Sequence, residues 1–142
     1  MYQVTGRSFK LSKDELLSGH DAYKKVFRLS SVIESDFLRF NYILTNIEKS
    51  PQDTFKVGFS VSKKHLRKAV SRNRIKRMLK EIYRINKNTE TVKIINKISY
   101  LIVTVREKHL KDKSFLLRSG FGTMNKDYLL LISKLNDRIL RI

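Results

Sequence analysis

The sequence predicts an α+β fold, a two-layer α/β sandwich in which helices lie on a small mixed sheet. Three observations carry that expectation. Residues 37–47 and 56–62 alternate side-chain character with the period of two of a strand, and 99–105 is the most apolar β-branched run of the chain. Residues 69–86 repeat apolar positions at i, i+3, i+4 and i+7, as a helix with one buried face does. A second amphipathic stretch closes the chain. With 142 residues, 41% of them hydrophobic, there is enough material for one domain with its own core. No internal repeat or low-complexity linker divides residues 1–142.

Taken in order, the first helix signal is LSKDELL. Ser12 and Glu15 have capping-box spacing, and Leu11 with Leu16 has that of a hydrophobic staple. Gly19 ends or interrupts this turn. Helical spacing resumes over His20–Arg28 and puts Tyr23, Val26 and Phe27 on one face, either as core or, for the aromatic rings, as stacking surface. In FLRFNYILTNI (37–47), Leu38, Phe40, Tyr42 and Leu44 alternate with Phe37, Arg39, Asn41 and Ile43. EKSPQD, with the only proline, is a turn. KVGFSVS (56–62) has Val57, Phe59 and Val61 on one face and Gly58, Ser60 and Ser62 on the other. That small polar face is either ordinary solvent surface or a place where backbone or a ligand comes close. The helix near 69–86 carries Ile75, Met78, Leu79 and Ile82 inward, with Ile85 or Asn86 closing the stripe. KNTETVKIINK reads as a loop with a short helix, SYLIVTV (99–105) as a central strand, and REKHLKDKSFLLRSGFGTMN as irregular or partly helical. KDYLLLISKLNDRIL is an amphipathic helix whose inner stripe is Tyr128, Leu131, Ile132, Leu135 and Ile139.

Charge points to the partner. Lys and Arg number 31 against 13 Asp and Glu, a net +18. Residues 56–87 alone hold twelve Lys and Arg and a single acid, Glu81. The excess is therefore localised, which a general solubility device would not require. On a helical wheel Asn73, Lys76, Arg77, Lys80 and Arg84 lie opposite the apolar stripe, with Arg72 and Arg74 at its two edges. The outcome is a cationic ridge about 20 Å long. Lys63, Lys64, Arg67 and Lys68 precede its N-terminus, where helix N–H groups also favour anions. A solvated face mixes both signs at i, i+4; this one suits a phosphate backbone. The rival partner, an anionic membrane surface, is disfavoured because the apolar face of the helix has a sheet to cover and the ridge lacks flanking Trp or exposed Phe.

Other classes find no support in the residues. There is no cysteine, so disulfides and thiolate sites are excluded and a cytoplasmic location fits. The start, MYQVTGRSFKLSKDEL, has no apolar run of a secretory signal, and no run approaches the roughly 18 residues of a membrane span. The acids are scattered, and His20, His65 and His109 stand in unlike contexts, so neither a metal nuclease nor a Ser/His/Asp hydrolase is indicated. The residues by themselves read as a binder of structured or single-stranded RNA, with aromatic rings available for stacking.

The run VGFSVSKKHLRKAVSRNRIKRMLKEIYR (57–84) closely resembles the protein subunit of bacterial ribonuclease P. It carries Val-Gly-x-Ser-Val-Ser-Lys-Lys, Ala-Val-x-Arg-Asn-Arg-Ile-Lys-Arg and the Glu two residues after Leu79. DAYKKVFR (21–28), 37–45 and 100–106 resemble that family's first helix, first strand and last strand, and the likeness covers about residues 9–142. The resemblance implies a left-handed βαβ crossover, against the usual hand. It implies a ribonucleoprotein endonuclease that removes the 5′ leader of precursor tRNA, with catalysis and Mg²⁺ belonging to the RNA subunit and no catalytic or metal-binding side chain on the protein. It further implies that Arg67, Lys68, Arg72, Asn73, Arg74, Lys76, Arg77 and Lys80 face the ribonuclease P RNA. Tyr23, Phe27, Phe40 (or Tyr42, two residues on), Lys63 and Lys64 would bind the leader in a cleft between the first helix and the sheet. The free protein is expected to be monomeric and not membrane-bound. Tyr23 stands where the family pattern leads one to expect Phe. His65-Leu66-Arg67-Lys68 replaces a common Gly-containing link, and 87–98 and 107–125 are longer than usual. The alternative is a non-enzymatic RNA-binding protein, such as a ribosomal protein, which needs the charge but not the cleft.

Overall fold

A computed structural model describes residues 13–45, 55–87 and 97–140. In chain order the elements are α1 (His20–Leu29), β1 (Ser31–Glu34), β2 (Leu38–Leu44), β3 (Lys56–Ser60), α2 (Ala69–Ile85), β4 (Ile98–Val105) and α3 (Lys113–Leu140), with 3₁₀ turns at Lys13–Glu15 and Glu107–Asp112. The sheet order is β1-β2-β4-β3. β1 with β2 and β2 with β4 are antiparallel; β3 and β4 are parallel. Parallel neighbours need a crossover, and α2 lies within it. The sheet is thus mixed and carries helices, as predicted.

The strand period of two sorts side chains between two faces. Leu38, Phe40 and Tyr42 of β2, Val57 and Phe59 of β3, and Leu101, Val103 and Val105 of β4 join one core with α2 and α3. Helix α2 contributes Ile75, Leu79, Ile82 and Tyr83; α3 contributes Tyr128, Leu131, Ile132, Leu135 and Ile139, the stripe expected from its spacing. On the second face Ile102 meets Leu17 and Val26, ringed by Ala22, Tyr23, Ile43 and Tyr100. Helix α1 covers this face, so Val26 is core and Tyr23 partly so.

Both sheet edges are occupied. The Leu17 amide donates to the Val57 carbonyl at 2.8 Å along β3. At the β1 edge Arg138 donates to the Val32 carbonyl at 3.0 Å, and Lys134 to that of Glu34 at 3.1 Å. Such edges are poor templates for another strand.

The structure corrects one expectation, adds a strand and decides between two alternatives. LSKDELL does not start a longer helix: Lys13–Glu15 is a single 3₁₀ turn, and Leu16 bridges to Val57 instead. Ser12 and Leu11 of the cap lie outside the described residues. The strand β1 was not foreseen, because four residues with two exposed, Ser31 and Val32, carry too little alternation. The stretch from Lys113 to Asn125 is regular helix, the first half of the 28-residue α3. Gly120 and Gly122 disguise it; Gly120 is buried, and a Cβ there would come within 3.4 Å of Leu116. The expected turn at 48–53 and most of the 87–97 loop lie outside the described residues. No helix of the described residues is long and apolar enough to cross a membrane.

Candidate RNA interface

The cleft begins with a glycine. On the second sheet face the Tyr23 ring lies over Gly58 so closely that a Cβ there would be 2.8 Å from the phenol oxygen and 2.9 Å from Cζ. The hydroxyl reaches the outer edge of β3, beyond the Leu17 contact, where it accepts from the Phe59 amide at 3.1 Å and faces the Phe59 carbonyl at 3.4 Å. Burial raises the Tyr23 pKa, while the bond from the Phe59 backbone opposes that rise. Only a residue without a side chain admits this contact. The tyrosine hydroxyl thus has a specific use: it satisfies edge groups that β4 does not reach.

With α1 held there, a cleft of about 510 Å³ opens between α1, the end of β3 and α2. Its α1 wall is His20, Tyr23, Lys24 and Phe27. These are spaced i, i+3, i+4 and i+7, so they share one helix face. Phe27 is 42% exposed, a large ring left open to solvent. Ser60 and Ser62 supply a polar floor, and Lys63 and Lys76 supply cations. Ser62 is part of a turn in which its Oγ lies 2.9 Å from His65 Nδ1 and the Leu66 amide donates to its carbonyl at 3.0 Å.

Of the residues expected in the cleft, Tyr23, Phe27 and Lys63 converge there. Lys64 is exposed on the turn but does not line it. Phe40 and Tyr42 are corrections. Phe40 is fully buried on the opposite face, edge-on to Tyr128 with centroids 5.6 Å apart. Tyr42 is buried on that face too, its hydroxyl 3.2 Å from Arg138. The strand period puts both rings toward α3, so neither can stack in a cleft beside α1. The expectation missed His20, Lys24, Ser60 and Ser62. The helical spacing of His20 and Lys24 with the two rings was the available signal, and Ser60 and Ser62 belong to the small polar face of 56–62 that a ligand can approach.

The ridge on α2 sorts into tethered and open cations. Arg72 is tethered, donating to the carbonyls of Leu66 at 2.9 Å and Arg67 at 2.6 Å. It closes the turn that leads into α2. Arg84 grips Glu81 through Nε at 2.9 Å, which holds that carboxyl below its usual range. Arg67, Lys68, Asn73, Arg74, Arg77 and Lys80 are exposed, and Lys76 leans toward the cleft. Among the described residues none of Arg74, Lys76, Arg77 and Lys80 has an acidic partner. Open cations along one helix, beside a cleft with an exposed ring, make a surface suited to RNA. No three His, Asp or Glu side chains among the described residues are grouped to hold a metal ion.

The Ribonuclease P family model matches residues 11–128. The Ribonuclease P protein component of Chlorobaculum tepidum is 35% identical over 86 residues, 60% of this chain and 56% of that protein. That of Clostridioides difficile is 39% identical over 74 residues, 52% of this chain and 60% of that protein. This chain therefore matches under two thirds of the length of these two relatives. That of Citrifermentans bemidjiense is 35% identical over 102 residues, 66% of this chain and 85% of that protein. Among solved structures, Staphylococcus aureus RNase P protein aligns with a TM-score of 0.62 at 20% identity, covering 87% of this chain and 96% of that one. The RNase P protein from Thermotoga maritima aligns with a TM-score of 0.58 at 23% identity, covering 79% and 89%. Those likenesses concern the fold; the match of the family model over most of the sequence settles membership, and this chain belongs to the ribonuclease P protein family.

Proposed function

We propose that this chain is the protein subunit of the ribonuclease P holoenzyme, working in the cytoplasm. The open cations of α2 lie on the phosphates of the ribonuclease P RNA. The α1–β3 cleft holds the 5′ leader of precursor tRNA and so favours substrate over the mature product. In this reading cleavage belongs to the RNA subunit, and the Mg²⁺ ions are held by that RNA and the substrate. The observation that carries this reading is the cleft, where the exposed Phe27 ring meets Lys63 and Lys76 from separate elements. A general phosphate binder would need the ridge alone.

The test is cleavage of a precursor tRNA by a bacterial ribonuclease P RNA at low Mg²⁺, with and without the protein. A single cut at the leader junction that appears only with the protein supports the reading. Binding without restored cleavage would leave an RNA-binding protein with another role.

Two substitutions probe the surfaces separately. Phe27→Ala removes an exposed ring and should weaken precursor tRNA binding by about 1–3 kcal/mol while sparing mature tRNA. Equal losses for both would remove Phe27 from the leader site. Arg74→Ala should weaken RNA-subunit binding and lower the slope of log K against log salt by about one contact, with unchanged melting. Arg72→Ala should instead cost stability, about 1–2 kcal/mol, because two carbonyls lose their donor. Thermal melts and salt titrations of both variants separate tether from contact.

A further inference from the structure

Helix α2 has two flanks, and the second also carries a groove. Between α2 and α3 lies a cavity of about 400 Å³ lined by Arg74, Arg77, Met78, Glu81, Leu117 and Phe121. It is separate from the leader cleft, to which α2 contributes Lys76 from its other side. We propose that this groove binds one unpaired nucleotide of a folded RNA, its base on the apolar floor and its phosphate on the two arginines. The proposal rests on the reading of α2 as the RNA-facing helix and extends that surface onto α3.

The floor is Met78, Leu117 and Phe121, partly buried side chains that pack on the core from outside and leave apolar surface open to the groove. An aromatic ring with a thioether and an aliphatic side chain offers a base a stacking surface without reading its sequence. The rim is Arg74 and Arg77, one turn apart, both exposed and without an acidic partner among the described residues. Guanidinium groups bind phosphate in a forked geometry. Glu81 would repel an anion here, but its carboxylate is engaged by Arg84, with Nε at 2.9 Å and a terminal nitrogen at 2.5 Å. That pairing leaves the rim net positive. An apolar peptide would use the floor but leave the arginines unused, and a duplex phosphate backbone would use the arginines but leave the floor. A single splayed nucleotide uses both.

The experiment uses the full chain with a bacterial ribonuclease P RNA carrying 4-thiouridine. Phe121→Leu keeps the apolar packing and loses the ring. It should bind the RNA about 5- to 30-fold more weakly, with an unchanged salt slope and unchanged melting temperature. Irradiation should attach a nucleotide to the tryptic peptide 119–126, which contains Phe121. Wild-type affinity for Phe121→Leu without a crosslink in 119–126, while Arg74→Ala still weakens binding, overturns the proposal and leaves the ridge standing. If neither variant changes RNA affinity, the reading of α2 as the RNA-facing helix fails and the groove falls with it. Wild-type RNA affinity together with concentration-dependent sedimentation that Phe121→Leu abolishes would assign the groove to a second copy of the chain and likewise overturn the proposal.

Discussion

Replacing Asp127 with alanine is expected to lower stability by about 3 kcal/mol, the largest single loss we anticipate. Asp127 lies on α3 and is buried, only 7% exposed. One carboxylate oxygen accepts from the Phe37 amide at 2.9 Å, the Leu38 amide at 3.0 Å and the Ser35 hydroxyl. It thereby holds the β1–β2 turn against the helix. Arg106 supports the same turn, donating from its side chain to the Ser35 carbonyl at 2.8 Å and from its amide to the Phe37 carbonyl at 2.8 Å. Without the carboxylate, two backbone donors are left facing apolar surroundings. For a chain of this size the loss corresponds to a melting temperature lower by about 10 °C. Asp127→Asn retains an acceptor without the charge and should fall between. If Asp127→Ala melts within about 1 kcal/mol of the parent, the turn is held by Arg106 and strand pairing instead.

Gly58→Ala is expected to have the second large effect, and one that reaches function. The new methyl group would displace the Tyr23 ring, which cannot yield without giving up its contacts with Phe59. Overpacking of this kind costs about 1–3 kcal/mol. Because Tyr23 positions α1, the cleft should lose its wall; under the proposed function, discrimination between precursor and mature tRNA should then fall while affinity for the RNA subunit through α2 persists. The double variant Gly58→Ala/Tyr23→Ala separates the two consequences. Removing the ring relieves the overlap, so part of the stability returns, but discrimination does not. Strictly additive losses in that cycle would show that the two residues do not meet.

How much was legible depended on whether a property is local. The 17-residue α2 was foreseen because its apolar spacing and its charge asymmetry are written in consecutive residues. The inner stripe of α3 was legible for the same reason. The N-terminal half of α3 was not, because two glycines lower local helix propensity there and packing against α2 overrides it. The strand β1 was hidden because pairing with β2, rather than pattern, makes it a strand. For the site, the cations were plain in the sequence, but their division was not. Arg72 looks like Arg74 until its partners, the carbonyls of Leu66 and Arg67, are seen. Phe40 looked like a cleft residue because β2 alternates cleanly, and alternation does not say which face a ligand meets.

By itself, then, the sequence determined α1, α2, the inner stripe of α3 and strands β2, β3 and β4, the localised positive charge and, through the 57–84 signature, the family. These follow from composition and short-range periodicity, which survive without knowledge of the fold. Only the tertiary structure decided that α1 lies on the face opposite α2 and α3, which turns Phe27 outward and Phe40 inward. It alone brought Tyr23 onto Gly58 and Asp127 onto the β1–β2 turn. Such contacts join residues 35 and 92 positions apart, and nothing local in either partner encodes the other.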